Sequence, residues 1–191
     1  MRLVFFGDSF SYGQGYPDCK LNSYDDVKAP SQFGWCPQVA DILSCEYLNN
    51  SYPASSNQQI LHDLRKYSRQ PDDFIVIQWS YADRDMILNP KGITQIIPNF
   101  TGKLFERYYQ VHSDHDMNYR SDLAIEHAAL LLRDHKHLML SNNRFYRPVD
   151  SLITGFEMDH CMDAWEDGHP GPMTNIEWAA LVANMIKEKG P

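Results

Sequence analysis

At 191 residues, 43% of them apolar and 22% charged, the chain can bury a core without disulfide or metal staples, and it reads as one domain over residues 1–191. Its formal charge of −8, from 17 basic against 25 acidic residues, excludes a nucleic-acid partner, since phosphate-backbone binding needs clustered cations and the densest basic stretch is Arg65, Lys66 and Arg69. No run reaches transmembrane length, and the apolar start Leu3–Phe6 is too short for a signal core, so the expectation is a soluble, cytoplasmic chain with no membrane partner.

In chain order, short apolar strands alternate with helical patterns, the signature of an α/β fold with a parallel sheet. Leu3–Phe6 reads as a buried first strand, running straight into Gly7-Asp8-Ser9-Phe10-Ser11. A helix follows Ser31–Pro37, with Val39, Ala40, Ile42 and Leu43 on one face. Glu46–Asn49 is a weak second strand, and Ser56 or Asn57 caps a helix carrying Ile60, Leu61, Leu64 and Tyr67. The clearest strand is Phe74–Trp79, whose near-continuous apolar run suits a sheet centre covered on both faces. The stretch from Asn89 to Phe100 reads as loop, with helices near Lys103–Val111 and Arg120–Arg133 and a strand at His137–Leu140. A long loop is expected from Ser141 to Gly171. A final helix is expected to open on the capping box Thr174–Glu177, with Ile176, Leu181, Met185 and Ile186 as its apolar stripe. Cys19, Cys36, Cys45 and Cys161 lack metal-ligand spacing and read as free thiols.

Two short motifs at opposite ends carry chemistry. Gly7-Asp8-Ser9 exposes a serine at the end of the first strand, and Asp167-Gly168-His169-Pro170 brings an acid–histidine pair from the other end. Acyl transfer needs an exposed oxygen, an imidazole to take its proton and a carboxylate to hold that imidazole. Either motif alone is a common turn; together they point to a serine hydrolase.

The chain resembles the SGNH (GDSL-type) hydrolases over nearly its whole length, through four blocks. The resemblance implies a flavodoxin-like three-layer α/β sandwich, a central parallel sheet flanked by helices. It implies Ser9 as nucleophile, His169 as base, and either Asp167 or Glu166 as the orienting acid. In the family's second block a glycine offers its N–H to the oxyanion, and Ala54 takes that place. In its third block an asparagine lines the oxyanion hole; here Ser80-Tyr81-Ala82-Asp83 puts Ala82 there, leaving Ser80, Asn57 and Arg84 as substitute donors. Losing such a donor costs about 2.7–4 kcal/mol in the transition state. The implied activity is hydrolysis of small acyl esters, acetyl among them, of an alcohol or glycan, with no metal and no cofactor.

Two other readings remain open. The fold could persist as a catalytically impaired module binding a glycan or other ligand. The cluster His112, Asp114, His115 and Asp116 could serve a metal-dependent hydrolase, against the plainer reading of a solvated loop between two helices. Asp134-His135 and Asp159-His160 read as surface pairs, and His137 as structural. Tyr12, Tyr16, Trp79, Tyr81, Phe145 and Tyr146 fall near predicted strand ends, where α/β sheets bind ligands.

Overall fold

The computed structural model describes residues 1–19, 29–90, 92–98, 101–141, 149, 152–154, 163 and 168–190. Five parallel strands form the central sheet: β1 (Arg2–Phe6), β2 (Glu46–Asn49), β3 (Asp73–Trp79), β6 (His137–Ser141) and β7 (Leu152–Thr154), in the order β2-β1-β3-β6-β7. That is the flavodoxin-like order, with β1 and β3 central. Every residue of β3 is buried, as a strand covered on both faces requires.

Strand alternation divides the core into two layers. Leu3, Phe5, Phe74, Val76, Leu138 and Leu140 face helices α2 (Trp35–Leu43) and α6 (Pro172–Lys189). Val4, Phe6, Ile75, Ile77 and Met139 face α3 (Asn57–Lys66) and α5 (Asp114–Leu132). The result is a three-layer α/β sandwich. A four-residue helix, α1 (Ser9–Tyr12), leaves the C-terminal end of β1. Among the described residues no helix is long and apolar enough to cross a membrane.

Four expectations change. The stretch after Trp79 is a hairpin, β4 (Asp85–Asn89) against β5 (Gly92–Ile96), with α4 (Lys103–Val111) after it. Buried Asp85 ties this hairpin to the helices: Tyr108 donates to its carboxylate, and Arg120 pairs with it at 2.6 Å. Pro98 and Gly92 obscure the alternation that marks these strands. Helix α5 begins at Asp114, ahead of its apolar pattern, because Ser113 accepts the Asp116 N–H as a cap. Strand β7 interrupts the expected long loop. Helix α6 opens at Pro172, and its buried face is Trp178, Ala179, Val182, Ala183 and Ile186, while Ile176 and Leu181 are exposed. Cys19, Cys36 and Cys45 are free, and Cys161 lies outside the described residues.

Truncation at the centre of this sheet should be costly. Ile75→Ala is expected to lower unfolding stability by about 2–5 kcal/mol, read from denaturant melts, because packed neighbours on both sides of β3 close only partly over the lost volume.

Candidate active site

The turn after β1 is built around a glycine and a buried carboxylate. A Cβ on Gly7 would lie 2.6 Å from Ser11 Oγ and 2.9 Å from Gln78 Oε1, so no side chain fits there. Asp8 caps α1, its Oδ1 accepting the Phe10 N–H at 3.0 Å. Its Oδ2 accepts from Ser80 Oγ at 2.9 Å and from Arg84 Nη1 at 3.0 Å. With 1% of its side chain exposed, Asp8 is a charge held almost wholly inside the protein and matched by Arg84, which keeps 17% of its side chain open. Gln78, a buried amide within the apolar run of β3, accepts from the Asp8 N–H and from Ser11 Oγ. Ser9 therefore heads α1 on a turn braced from β3.

The segment after β2 closes over the same end of the sheet. Asn49 Nδ2 donates to Ser11 O, and the Tyr52 N–H donates to Gly7 O. Ala54 follows with φ at +61°, the left-handed region that glycine favours, at a cost of about 1–2 kcal/mol for a residue with a Cβ. The sequence resemblance puts a glycine at this position, and the backbone keeps glycine's conformation. The Ala54 N–H donates to no described residue. Asn57, fully buried, clasps the Ser80 backbone: its Nδ2 donates to Ser80 O at 3.2 Å and its Oδ1 accepts the Ser80 N–H at 2.8 Å.

His169 arrives from the opposite end of the chain. Its ring packs edge-on against Phe10, the residue after Ser9, with centroids 5.8 Å apart, and Phe10 in turn rests on Trp178 of α6. Asp167 and Glu166, the two candidate acids, lie outside the described residues. Two tethers that sequence reasoning missed fix the His169 segment. Asn175, 1% exposed, donates from Nδ2 to Pro170 O and Gly171 O, while its Oδ1 accepts the Trp35 N–H at the head of α2. Asp163 caps α6 from a distance, accepting from the Met173 and Thr174 N–H groups and the Thr174 hydroxyl. The expected capping box is thereby replaced: Gly171 holds the N-cap position, where it has no side chain to offer, and its would-be Cβ would lie 2.0 Å from Asp163 O.

The other singled-out residues fall elsewhere. His112 ends α4 and Asp116 lies in the first turn of α5, so the expected loop is only a helix junction, and the two pair through Nδ1 at 2.5 Å. Among the described residues no three of His, Cys, Asp or Glu gather as a metal set. Trp79 and Tyr16 are buried, Tyr81 lies under the Arg84 guanidinium at 5.0 Å, and Phe145, Tyr146, Asp159 and His160 lie outside the described residues. His137 Nδ1 meets His135 O, a structural contact. Cys36 and Cys19 direct their thiols to Ser11 O and Gly13 O, and burial pushes both up, Cys19 to about 11. A cleft of about 640 Å³ is walled by residues that include Tyr12, Asn50, Ser51, Tyr52 and Tyr67. Ser9 and His169 are not among its described lining residues, but Tyr12, three positions after Ser9, and Tyr52, two before Ala54, are.

Neither a protein-family model nor a curated protein matches the sequence. Solved structures do match. A carbohydrate esterase whose active site displays divergent catalytic and non-catalytic binding functions superposes with a TM-score of 0.59 at 14% identity, over 99% of this chain and 69% of that one. The three-layer fold is shared with that esterase. The acetyl xylan esterase Est2A of Butyrivibrio proteoclasticus gives a TM-score of 0.58 at 13% identity, over 98% of this chain and 64% of that one. A carbohydrate esterase family 2 enzyme of Corynascus thermopiles, with its carbohydrate-binding domain, gives 0.58 at 11%, over 98% and 66%. The chain thus spans about two thirds of the length of each of these neighbours.

The distant cap gives a pH-dependent expectation. Burial raises the Asp163 carboxyl, but hydrogen bonds from Thr174 and Met173 outweigh it and leave it below the usual carboxylate range. Its stabilisation is therefore complete above the unfolded value near pH 4 and disappears as pH falls through the lower folded value. Asp163→Ala should cost about 1 kcal/mol at pH 7, and thermal melts of variant and wild type should converge in acid.

Proposed function

We propose that the chain is a serine esterase that removes small acyl groups, acetyl among them, from a carbohydrate or other alcohol. The observation that carries this reading is the meeting at one sheet end of the Ser9 turn and the His169 segment, with His169 against Phe10. Ser9 Oγ attacks the ester carbonyl while His169 takes its proton; Asp167 or Glu166 orients the imidazole. The Ser9 and Ala54 N–H groups receive the oxyanion, neither donating to a described residue. His169 then protonates the leaving alcohol, and water repeats the sequence to release the acid. This cycle calls on no metal or organic cofactor. The carbohydrate-esterase neighbours favour a sugar ester, and the tyrosine-walled cleft, lined by Tyr12 of α1 and by Tyr52, has a volume suited to the sugar portion.

Ala82, which offers no oxyanion donor, favours a second reading: an impaired module that binds a glycan without cleaving it. Intact-mass analysis after treatment with a fluorophosphonate separates the two. A single adduct is expected on wild type, absent from Ser9→Ala and His169→Ala, with ester turnover in both variants at background. Folded wild-type protein that takes no adduct would overturn the esterase reading in favour of the module.

The cleft makes its own prediction. Tyr52→Ala should raise KM for acetylated xylo-oligosaccharides several-fold while leaving turnover of p-nitrophenyl acetate unchanged. Equal effects on both substrates would remove the cleft from substrate binding.

A further inference from the structure

Ala82 leaves the acyl-transfer site one side-chain donor short, and of the three candidate replacements, Ser80, Asn57 and Arg84, one has donors to spare. Ser80 has one hydroxyl hydrogen, and it is spent on Asp8 Oδ2. Asn57 has no exposed surface, and its amide clasps the Ser80 backbone at both ends. Arg84 differs. Its Nη1 serves Asp8 and Ser80, while the three N–H groups on Nε and Nη2 make no hydrogen bond to a described residue and are not sealed from solvent. Asp8 fixes where that guanidinium sits, since one carboxylate oxygen holds Arg84 and the other holds the first turn of α1, on which Ser9 lies. Tyr81 lies under the guanidinium plane.

We infer that Arg84 supplies the side-chain donor to the oxyanion in place of the residue missing at Ala82. This deepens the serine-esterase reading and rests on it. As the Ser9 oxygen bonds to the acyl carbon and its proton passes to His169, the carbonyl π pair moves onto oxygen, and that oxygen accepts from the open edge of Arg84. On collapse the pair returns to the carbonyl, the bond to the alcohol breaks, and His169 gives the proton to the departing oxygen. A guanidinium donor is charge-assisted, so it binds an oxyanion more strongly than a neutral amide. It also offsets the buried Asp8 carboxylate, whose charge would otherwise repel the one forming nearby.

The test uses p-nitrophenyl acetate and, in parallel, the rate of fluorophosphonate capture. Arg84→Ala is expected to lower kcat about 10²–10³-fold with KM little changed. Adding Ala82→Asn to that variant should recover at least about tenfold, because it restores an amide donor where the resemblance places one. Arg84→Lys, which keeps a cation against Asp8, should fold with a wild-type melting temperature yet lose about tenfold or more in kcat, lacking the planar fork. Full activity in Arg84→Lys, or no recovery from Ala82→Asn, would overturn the assignment. Recovery by Asp8→Asn in the Arg84→Ala background would overturn it too, by reducing Arg84 to a counter-charge. A Ser9 adduct with Arg84-insensitive rates would refute this inference alone; wild type with neither adduct nor turnover would refute the esterase reading with it.

Discussion

A carboxylate removed from water must be matched by donors or a cation, and Asp8 imposes that demand at the C-terminal end of β1. Its oxygens are met by the Phe10 N–H, the Ser80 hydroxyl and Arg84. Each partner belongs to a different part of the site: the helix that carries Ser9, the end of β3, and the turn that leads into the β4–β5 hairpin. Gln78 repeats the arrangement one layer down, receiving the Asp8 N–H and the Ser11 hydroxyl. The Ser9 turn is therefore shaped by charge matching, with the parallel sheet supplying the platform.

His169 is governed by a separate device. Groups on α6 and Asp163 hold the segment that follows it. Asn175 spends its whole amide on Pro170, Gly171 and the start of α2, so the helix that covers one sheet face also aims the loop at its own N-terminus. Phe10 completes the join by lying between His169 and Trp178. Two distant stretches of sequence thus converge through contacts that are mostly buried.

Dense apolar runs make β1, β3 and β6 legible in the sequence, because burial on both faces leaves these strands little room for polar residues. Motif chemistry singles out Ser9, His169 and Ala54 as candidates, and Ala54 holds the left-handed conformation that a glycine would take. The hairpin at Asp85–Ile96 is hidden, since its strands are half exposed and a two-stranded ribbon has little alternation to display. The cap of α6 is misleading in the sequence, because a carboxylate far upstream performs the task that Thr174 and Glu177 are spaced for. Asn175 is obscured for a related reason: a polar residue in a first helical turn looks like a local cap, and only the fold reveals that it reaches across to α2. Gln78 offers the better clue, a polar amide inside an otherwise apolar strand, which burial alone would penalise without partners.

The buried thiols near this turn have a consequence for reagent selectivity. Cys36 and Cys19 donate to carbonyls on either side of Tyr12, and burial keeps both protonated well past neutrality. Sulfur attacks electrophiles as thiolate, so these two residues are poor competitors for a warhead delivered to the neighbouring serine. The two thiols are in this respect set apart from Ser9, and alkylating blockers of accessible cysteine can be combined with serine-directed ones without the two signals merging at this end of the sheet.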